Sequence, residues 1–368
     1  MKSWRLLIED KVSAAQGLAL DEALMSSYSR NAKTSPTLRL YTYANHSALV
    51  GRYQHLEAEL DTQACNELGI DFNRRPTGGG AILMGQDQLG IAVVMKAPTE
   101  FRPRELMASL SNALVASISS LGLSTVFRGK NDLEVDGKKI AGLGIYVNNT
   151  GALLFHVSLL VDLDIALMLK VLNIPIAKLG DKGISMVQER VTTLNRATNK
   201  KWDMSDVRQV IINGFANYFD VNIEKGIVTP QEAVLAQDLA QNKFLDLEWI
   251  NQKRPQKDAT ATSLLKTPFG LVRLYLAVQG EIIKNIFFTG DFNEVPQCLV
   301  VLEKALKWKR LKRPELIELA SEIFNVDSCL GVGPDDFVDA VLQAAGRAVS
   351  NELSVPIRQG SCYFPEVV

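Results

Sequence analysis

The order of apolar and polar positions along the 368-residue chain predicts a succession of helices and short strands. The clearest helix spans Pro103 to Leu121, where leucine and isoleucine recur at helical spacing and Gly122 ends the pattern. Earlier, Ser13 and Gln16 have capping-box spacing at the start of an amphipathic helix that reaches about Tyr28. Both patterns predict helices that pack one face against a core.

Strands with alternating or continuous apolar positions surround these helices. They are expected at Trp4–Ile8, Thr37–Tyr43, Ala48–Gly51, Ile70–Arg74, Ala81–Leu83, Leu89–Met95, Glu134–Val135, Lys138–Ile140, Gly144–Val147 and Leu153–Val161, with further helices at Glu57–Leu68, Asp164–Leu172 and Asp206–Phe219. Turn residues between the last strands indicate successive hairpins. The pattern predicts an α+β fold with a mixed, mostly antiparallel sheet flanked by helices.

A second, smaller unit is expected toward the C-terminus. Thr229, Pro230 and Glu232 have the character of a helix start, and a hairpin over Gln279-Gly280 with three later helices predicts a small α+β accessory domain. We therefore predict a large domain over residues 1–243, an accessory domain over 244–353 and an extension over 354–368.

Composition narrows the classes of function. Hydrophobic residues make up 47% of the chain, and 40 basic residues face 41 acidic ones, so a nucleic-acid partner is not expected unless charge is segregated locally. The four cysteines are scattered and only three histidines are present, which argues against a thiolate or histidine metal cluster and against a disulfide-stapled secreted domain. No apolar run approaches the roughly 20 residues of a membrane span. We expect a soluble, monomeric protein in a reducing, cytoplasmic setting.

One stretch stands out chemically: Arg74 and Arg75 precede three consecutive glycines, Gly78, Gly79 and Gly80. Glycines disfavour helix and strand, so close approach of the backbone to a ligand is one reason to find them together. The arginines indicate an anionic ligand. The alternative is a turn between two strands beside two solvated arginines.

Four further features carry candidate chemistry. Asn131 and Asp132 are compact oxygen ligands suited to a Mg²⁺ ion bound to phosphates, although Asn-Asp is also a common turn sequence. Lys139, just past a turn, can hold a carboxylate or phosphate oxygen. His156, in an apolar strand, is either a ligand contact or a hydrogen-bonded wall residue. Backbone amides around Gly183 can serve a phosphate.

Taken in order, these motifs resemble the lipoate–protein ligase family. The ordered set is Arg-Arg-x-Thr-Gly-Gly-Gly-Ala, Asn-Asp-Leu, Gly-Lys-Lys-Ile-Ala-Gly, His-x-Ser-Leu-Leu and Lys-Gly-Ile-Ser with Arg-Val-Thr-x-Leu, within about Trp4–Phe219. Residues from about Leu247 to Ala348 are similar to the accessory domain of two-domain members. Biotin ligases and octanoyltransferases belong to the same superfamily, but the Gly-Arg-Gly-Arg-x-Gly-Arg motif of biotin ligases is missing.

The resemblance implies that residues 1–243 form a catalytic domain using ATP and Mg²⁺. Lipoate would be converted to lipoyl-AMP and passed to a lysine of a lipoyl domain, in a 2-oxoacid dehydrogenase E2 subunit or a glycine-cleavage H protein. Lys139 would hold the reacting carboxyl oxygen, and Asp132 the metal. The implied substrate- and ATP-binding residues are Arg75, Thr77, Gly78, Gly79, Gly80, Ala81, Asn131, Asp132, His156, Gly183 and Ile184, the last two in a loop that closes over the adenylate.

Some positions depart from the family pattern. Met84 stands where many relatives carry a histidine. Some relatives carry an arginine close to the position of Tyr146, and a glycine at the position of Val157. Two rival functions follow: an octanoyl or lipoyl transferase, and a non-catalytic protein that binds lipoyl domains or acyl-adenylates. The transferases work through a cysteine thioester. Because no cysteine lies between Cys65 and Cys298, the ATP-dependent ligase is favoured.

Overall fold

The computed structural model describes residues 2–28, 34–98, 103–128, 131–173, 183–252, 259, 261–326 and 330–354. The chain forms two compact units. The first comprises Met1–Arg52 and Leu56–Gln252, and the second comprises Tyr53–His55 and Lys253–Val368.

The first unit is built on a mixed sheet. Its strands are β1 (Lys2–Val12), β2 (Thr37–Tyr43), β6 (Gln88–Lys96), β7 (Thr125–Phe127), β8 (Asp132–Val135), β9 (Lys138–Val147), β10 (Ala152–Leu160) and β11 (Val221–Lys225), in the spatial order β11-β1-β2-β6-β10-β9-β8-β7. Strand β1 pairs in parallel with β11 and β2, and the other pairs are antiparallel. The predicted α+β class and mostly antiparallel sheet are confirmed.

A second, smaller sheet carries the glycine stretch. It consists of β3 (Ser47–Val50), β4 (Asp71–Arg74) and β5 (Ile82–Met84), in the order β4-β3-β5. Strand β3 pairs in parallel with β4 and antiparallel with β5. Residues 75–81 therefore connect the two outer strands across the end of the central one.

Helices cover both faces of the main sheet. They are α1 (Ala14–Ser26), α2 (Leu56–Glu59), α3 (Thr62–Glu67), α4 (Pro103–Ser119), α5 (Ile165–Val171), α6 (Gly183–Arg190), α7 (Leu194–Thr198), α8 (Met204–Phe219), α9 (Pro230–Leu239) and α10 (Leu247–Ile250), with a π-helical turn at Ala240–Phe244. The Leu110 and Leu114 side chains of α4 and the Phe215 ring of α8 are buried in one core, and Leu18 and Leu24 of α1 in another. The capping boxes predicted at Ser13 and Thr229 are both present.

Two local predictions were wrong. The segment from Glu57 to Leu68 is two short helices, because the Asp61 carboxylate accepts from Ala64 N and starts the second one. The strands predicted at Lys138–Ile140 and Gly144–Val147 are one continuous strand, β9. Its glycines pair with β10, so the strand continues through them.

The second unit contains the sheet β12-β13-β14, made of Ala261–Thr267, Gly270–Gln279 and Ile282–Gly290. The helices α11 (Gln297–Leu306), α12 (Arg313–Val326) and α13 (Pro334–Ser354) share its core. Phe244 and Ile250 are buried in clusters of the first unit, which extends to Gln252. Residues 355–368 of the expected extension lie outside the described residues.

Two other features concern the setting of the chain. Cys298 is disulfide-bonded. Among the helices of the described ranges, none combines the length and apolarity that crossing a membrane requires.

Candidate active site

The Arg75 side chain holds the glycine stretch in place. Its guanidinium donates to the carbonyl oxygens of Gly78 (2.9 Å), Gly80 (2.6 Å) and Leu49 (3.1 Å). Burial lowers the pKa of this guanidinium to about 10, so the group stays charged at neutral pH. The arginine expected to face an anion therefore uses most of its donors on the backbone of the loop.

The loop lies directly against the end of β3. A methyl group added at Gly51 would lie 2.0 Å from the carbonyl oxygen of Gly79, whose φ is 93°. Arg52 N donates to Thr77 O at 2.9 Å, and Arg75 N donates to Val50 O at 3.0 Å. These bonds and the close contact require glycine at position 51 and a left-handed backbone at Gly79.

The predicted lysine and carboxylate meet at the other side of the site. Lys139 Nζ lies 2.5 Å from Asp132 Oδ1, and each side chain is about one third exposed (34% and 37%). Asn131 is adjacent, and its carbonyl oxygen accepts from Leu143 N at 2.8 Å. The aliphatic stem of Lys139 passes Gly142, where an added methyl would meet Nζ at 3.5 Å.

Strand register connects this pair to the interior of the sheet. Asp132 pairs with Gly142, Gly142 with Ser158, Ser158 with Gly90, and Gly90 with Tyr41. Directly paired residues share a face, so all five positions form one row across β8, β9, β10, β6 and β2. The three strand spacings between Gly142 and Tyr41 amount to about 14 Å.

A small cavity, partly open to solvent, is lined by Ser158 and Tyr41 of this row. Its apolar wall is formed by α1, β3, β5 and β10, and the residues lining it are Leu18, Asp21, Tyr41, Tyr43, Leu49, Arg75, Pro76, Thr77, Ile82, Met84, Leu154, His156, Val157 and Ser158.

Three polar atoms in the cavity wall have no hydrogen-bond partner within the described residues. They are the Tyr43 hydroxyl, the Thr77 hydroxyl and His156 Nε2, all buried. Burial, with a smaller effect of the charge on Arg75, lowers the pKa of His156 to about 3, so the imidazole is neutral. The ring fits because Gly144 is opposite: a methyl there would lie 2.2 Å from Nε2. Unpaired buried polar atoms are costly, and a polar ligand group would satisfy them.

Met84, the departure from the family pattern, contacts a strand residue of the cavity. Its sulfur lies 2.7 Å from Ser158 Oγ, and the methionine side chain is 3% exposed. Tyr146 and Val157 are on β9 and β10, and Val157 lines the cavity.

The sequence did not predict a buried ion-pair network at the cavity. Arg39 Nη1 donates to Asp21 Oδ1 at 2.6 Å, and Arg39 Nε lies 2.5 Å from a Glu9 oxygen. Burial raises the pKa of Asp21, and Arg39 opposes this shift. The available signal was a charged residue, Asp21 in α1 and Arg39 in β2, within elements that are buried over most of their length. Their contact depends on strand order, which sequence spacing does not give.

Gly183 and Ile184 begin helix α6 and do not lie in a loop, which corrects that prediction. Residues 174–182, which precede them, are outside the described ranges. After α6, Thr192 N donates to Lys139 O at 2.9 Å, so this segment is fixed beside the lysine. Ala81, half-buried, ends the glycine stretch before β5.

The described residues contain no cluster of three or more histidine, cysteine or acidic side chains that could hold a metal ion. Asp132 is thus a single carboxylate beside Asn131, a donor set suited to Mg²⁺ only when phosphates and waters complete the shell.

Cys65 lies in α3 and is fully buried. Burial, and to a lesser degree the charge of Asp61, raises the pKa of its thiol to about 11. This thiol is not among the residues that line the cavity.

A largely apolar cavity and a lysine–carboxylate pair thus lie along the same mixed sheet. The family model "Lipoyl protein ligase A/B catalytic domain" matches residues 13–216. The chain belongs to this lipoate ligase and octanoyltransferase family.

Three similar proteins illustrate the range of the family. Octanoyltransferase LipM of Kyrpidia tusciae is 30% identical over 69% of this chain and 100% of its own length. The bi-partite lipoate protein ligase of Thermoplasma acidophilum, in a structural study with its E2 lipoyl domain, is 28% identical with a TM-score of 0.63 over 70% of this chain and 99% of that chain. A lipoate-protein ligase A bound with ATP is 26% identical, with a TM-score of 0.61 over 69% of this chain and 100% of that chain.

Proposed function

We propose that the protein is an ATP-dependent lipoate–protein ligase, which converts lipoate to lipoyl-AMP and transfers the lipoyl group to a lysine of a lipoyl domain. The observation that carries the proposal is that no cysteine lines the cavity within the part of the chain that the structure describes. Cys65 is the only cysteine before Cys298, and it is buried with a raised pKa. Acyl transfer through a thioester requires a reactive thiolate beside the acyl pocket.

Lys139 would supply the fixed positive charge that activation of a carboxylic acid needs. Attack of a carboxylate on a phosphate brings two anions together, and a fixed cation offsets their repulsion. Lys139 Nζ lies over Gly142 and is paired with Asp132. In the second half-reaction the same ammonium stabilises the oxyanion that develops when an amine attacks the carbonyl.

ATP and Mg²⁺ enter as co-substrate and counter-ion. Asn131 and Asp132 would hold the ion through one carboxylate with phosphates and waters, as Mg²⁺ prefers. Binding the ion requires Asp132 to exchange its contact with Lys139. Because such a partly exposed ion pair contributes little stability, this exchange costs little free energy.

The acyl chain would lie in the cavity over the cross-sheet row. Apolar side chains such as Leu18, Leu49 and Leu154 would contact its methylenes. The glycine stretch, held by Arg75, closes one wall, and the unpaired Thr77 hydroxyl and His156 Nε2 would bind polar atoms of the acyl-adenylate.

The runner-up is an octanoyltransferase, favoured by the names of similar proteins such as the LipM of Kyrpidia tusciae. A transferase would take its acyl group from an acyl-carrier protein and would need no ATP. The two functions therefore differ in donor and in nucleotide requirement.

Measuring the intact mass of an acceptor lipoyl domain distinguishes the ligase from the octanoyltransferase. The full-length protein is incubated with an apo-lipoyl domain and either lipoate plus MgATP or octanoyl-acyl-carrier protein without ATP. The ligase predicts a gain of one lipoyl group in the first mixture only, abolished when ATP is omitted. Acyl transfer in the second mixture alone would refute it in favour of the transferase. No transfer in either mixture would indicate a binding protein.

A further inference from the structure

The second unit carries a short, strongly basic segment, residues 304–313, which we call the basic segment. Its sequence contains six lysines and arginines and no acidic residue: Lys304, Lys307, Lys309, Arg310, Lys312 and Arg313. All six are exposed. Residues 253–368 as a whole carry 14 basic and 14 acidic side chains, so the positive charge is segregated locally.

Intramolecular ion pairs neutralise only one end of this segment. Lys312 pairs with Glu315 at 3.5 Å, and Arg313 pairs with Asp335 at 2.9 Å and with Asp339. Within the described ranges, the cations at positions 304, 307, 309 and 310 form no ion pair. Their charge is available to a partner.

Trp308 lies in the middle of these four cations and is 60% exposed. Its φ is 68°, a left-handed conformation that is unfavourable for a residue with a bulky side chain. The Lys307 ammonium lies 5.7 Å from the centre of the indole ring. Neither the exposure nor the strain helps this unit to fold, and strain of this kind marks functional positions.

The backbone holds the tryptophan rigidly. Trp308 N donates to Ile283 O at 2.7 Å, Ile283 N donates to Lys309 O at 2.9 Å, and Leu311 N donates to Glu281 O at 2.7 Å. These bonds pair residues 308–311 with the start of β14, and Leu306 is buried on the N-terminal side. A partner would meet a preformed surface, so little ordering entropy is lost on binding.

We infer that the basic segment is a docking surface for the protein acceptor, with Trp308 and Arg310 as its anchors and an acidic face around the acceptor lysine as its complement. Tryptophan and arginine dominate binding energy at protein interfaces, and flanking lysines steer an oppositely charged partner. A nucleic acid fits less well, because the unit is neutral overall and offers four free cations at one place. The inference rests on the proposed function, which supplies a protein acceptor.

The test measures binding and catalysis separately. Titration calorimetry of the full-length protein with an apo-lipoyl domain of a 2-oxoacid dehydrogenase E2 subunit, without ATP or lipoate, gives the dissociation constant. Trp308→Ala and the double variant Lys307→Glu/Arg310→Glu are each expected to weaken binding by about tenfold or more. Raising the ionic strength should weaken binding of the wild type and have little effect on the double variant.

A matched control reverses the charge of two exposed lysines outside the basic segment. Lys225→Glu/Lys266→Glu makes the same change in net charge, and we expect its dissociation constant to stay within about twofold of wild type. Lipoate-dependent ATP–pyrophosphate exchange, which needs no acceptor, should be unchanged in all three variants.

The outcomes separate this inference from the proposed function. Equal binding by wild type and segment variants would overturn the inference, even if the enzyme lipoylates the domain. Loss of affinity for single-stranded RNA or anionic vesicles, with binding of the lipoyl domain intact, would also overturn it. Conversely, segment-dependent binding of the domain without ATP-dependent lipoylation would refute the ligase and leave the docking surface standing.

Discussion

The contact between Gly51 and the glycine stretch gives a quantitative test of the site. In Gly51→Ala the new methyl would lie 2.0 Å from Gly79 O and 3.1 Å from Gly79 C, both backbone atoms. The loop cannot simply retreat, because Arg75 holds the carbonyl oxygens on either side of Gly79, at Gly78 and Gly80. The substitution must therefore strain the backbone or break hydrogen bonds of a buried guanidinium.

Both routes have known costs. Overpacking a close contact costs typically about 1–3 kcal/mol, and loss of a hydrogen bond to a charged group costs about 1.5–3 kcal/mol. We expect Gly51→Ala to lower the free energy of unfolding of the first unit by about 2–5 kcal/mol. For a unit of this size the corresponding fall in melting temperature is about 5–15 °C.

Differential scanning calorimetry measures the melting temperature. Titration with lipoate plus a non-hydrolysable ATP analogue measures the affinity of the site for these ligands. The control is Gly346→Ala on α13, where an added methyl meets no atom within 4 Å and the helix gains up to about 1 kcal/mol. If Gly51→Ala melted within about 1 °C of wild type and bound ligand normally, the loop would be free to move and the argument from Arg75 would fail.

Three further predictions address individual side chains. Lys139→Ala should fold normally, since its ion pair is one third exposed, yet lose about 10²–10³-fold in both adenylation and transfer; near-normal lipoyl-AMP formation, followed by chromatography, would remove the lysine from the mechanism. Cys65→Ala should retain ATP-dependent lipoylation in the mass assay, because a buried thiol with a pKa near 11 is not the nucleophile; loss of transfer in a stably folded variant would contradict this. Because the pKa of His156 is lowered to about 3 in the folded state, stability should fall as pH drops below the unfolded value of about 6.5, by up to about 1.4 kcal/mol per pH unit. Urea unfolding at several pH values gives the free energy of unfolding as a function of pH, and this dependence should be shallower for His156→Gln than for the wild type. Identical pH dependence in the two proteins would disprove the lowered pKa of His156.

Features encoded within a few residues were predictable. The capping boxes at Ser13 and Thr229 are present, because a hydroxyl and a side chain three residues later satisfy the first amides of a helix regardless of the surrounding fold. The resemblance to the ligase family also put Asp132 and Lys139 in one site, and the two residues lie on paired strands.

Features that depend on which groups meet across the fold were not predictable. Arg75 was expected to face an anion, but its donors are taken by three carbonyl oxygens that only the path of the loop brings within reach. The partnership of Asp21 with Arg39 required α1 to lie over β2. An arginine or aspartate in a sequence shows a charge and not its partner.

The two ion pairs of the site have opposite consequences for function. Asp21 and Arg39 are almost completely inaccessible (4% and 0% exposed), so separating them would leave an uncompensated charge in the interior, and the pair fixes the wall of the cavity. Lys139 and Asp132 are each about one third exposed, and water can replace either partner at low cost. The proposed ligase site, which would accept a carboxylate, a polyphosphate and a metal ion in turn, needs charges of the second kind, held in position but able to exchange partners. The chemistry is therefore expected at Lys139 and Asp132, with Arg39 and Asp21 shaping the pocket.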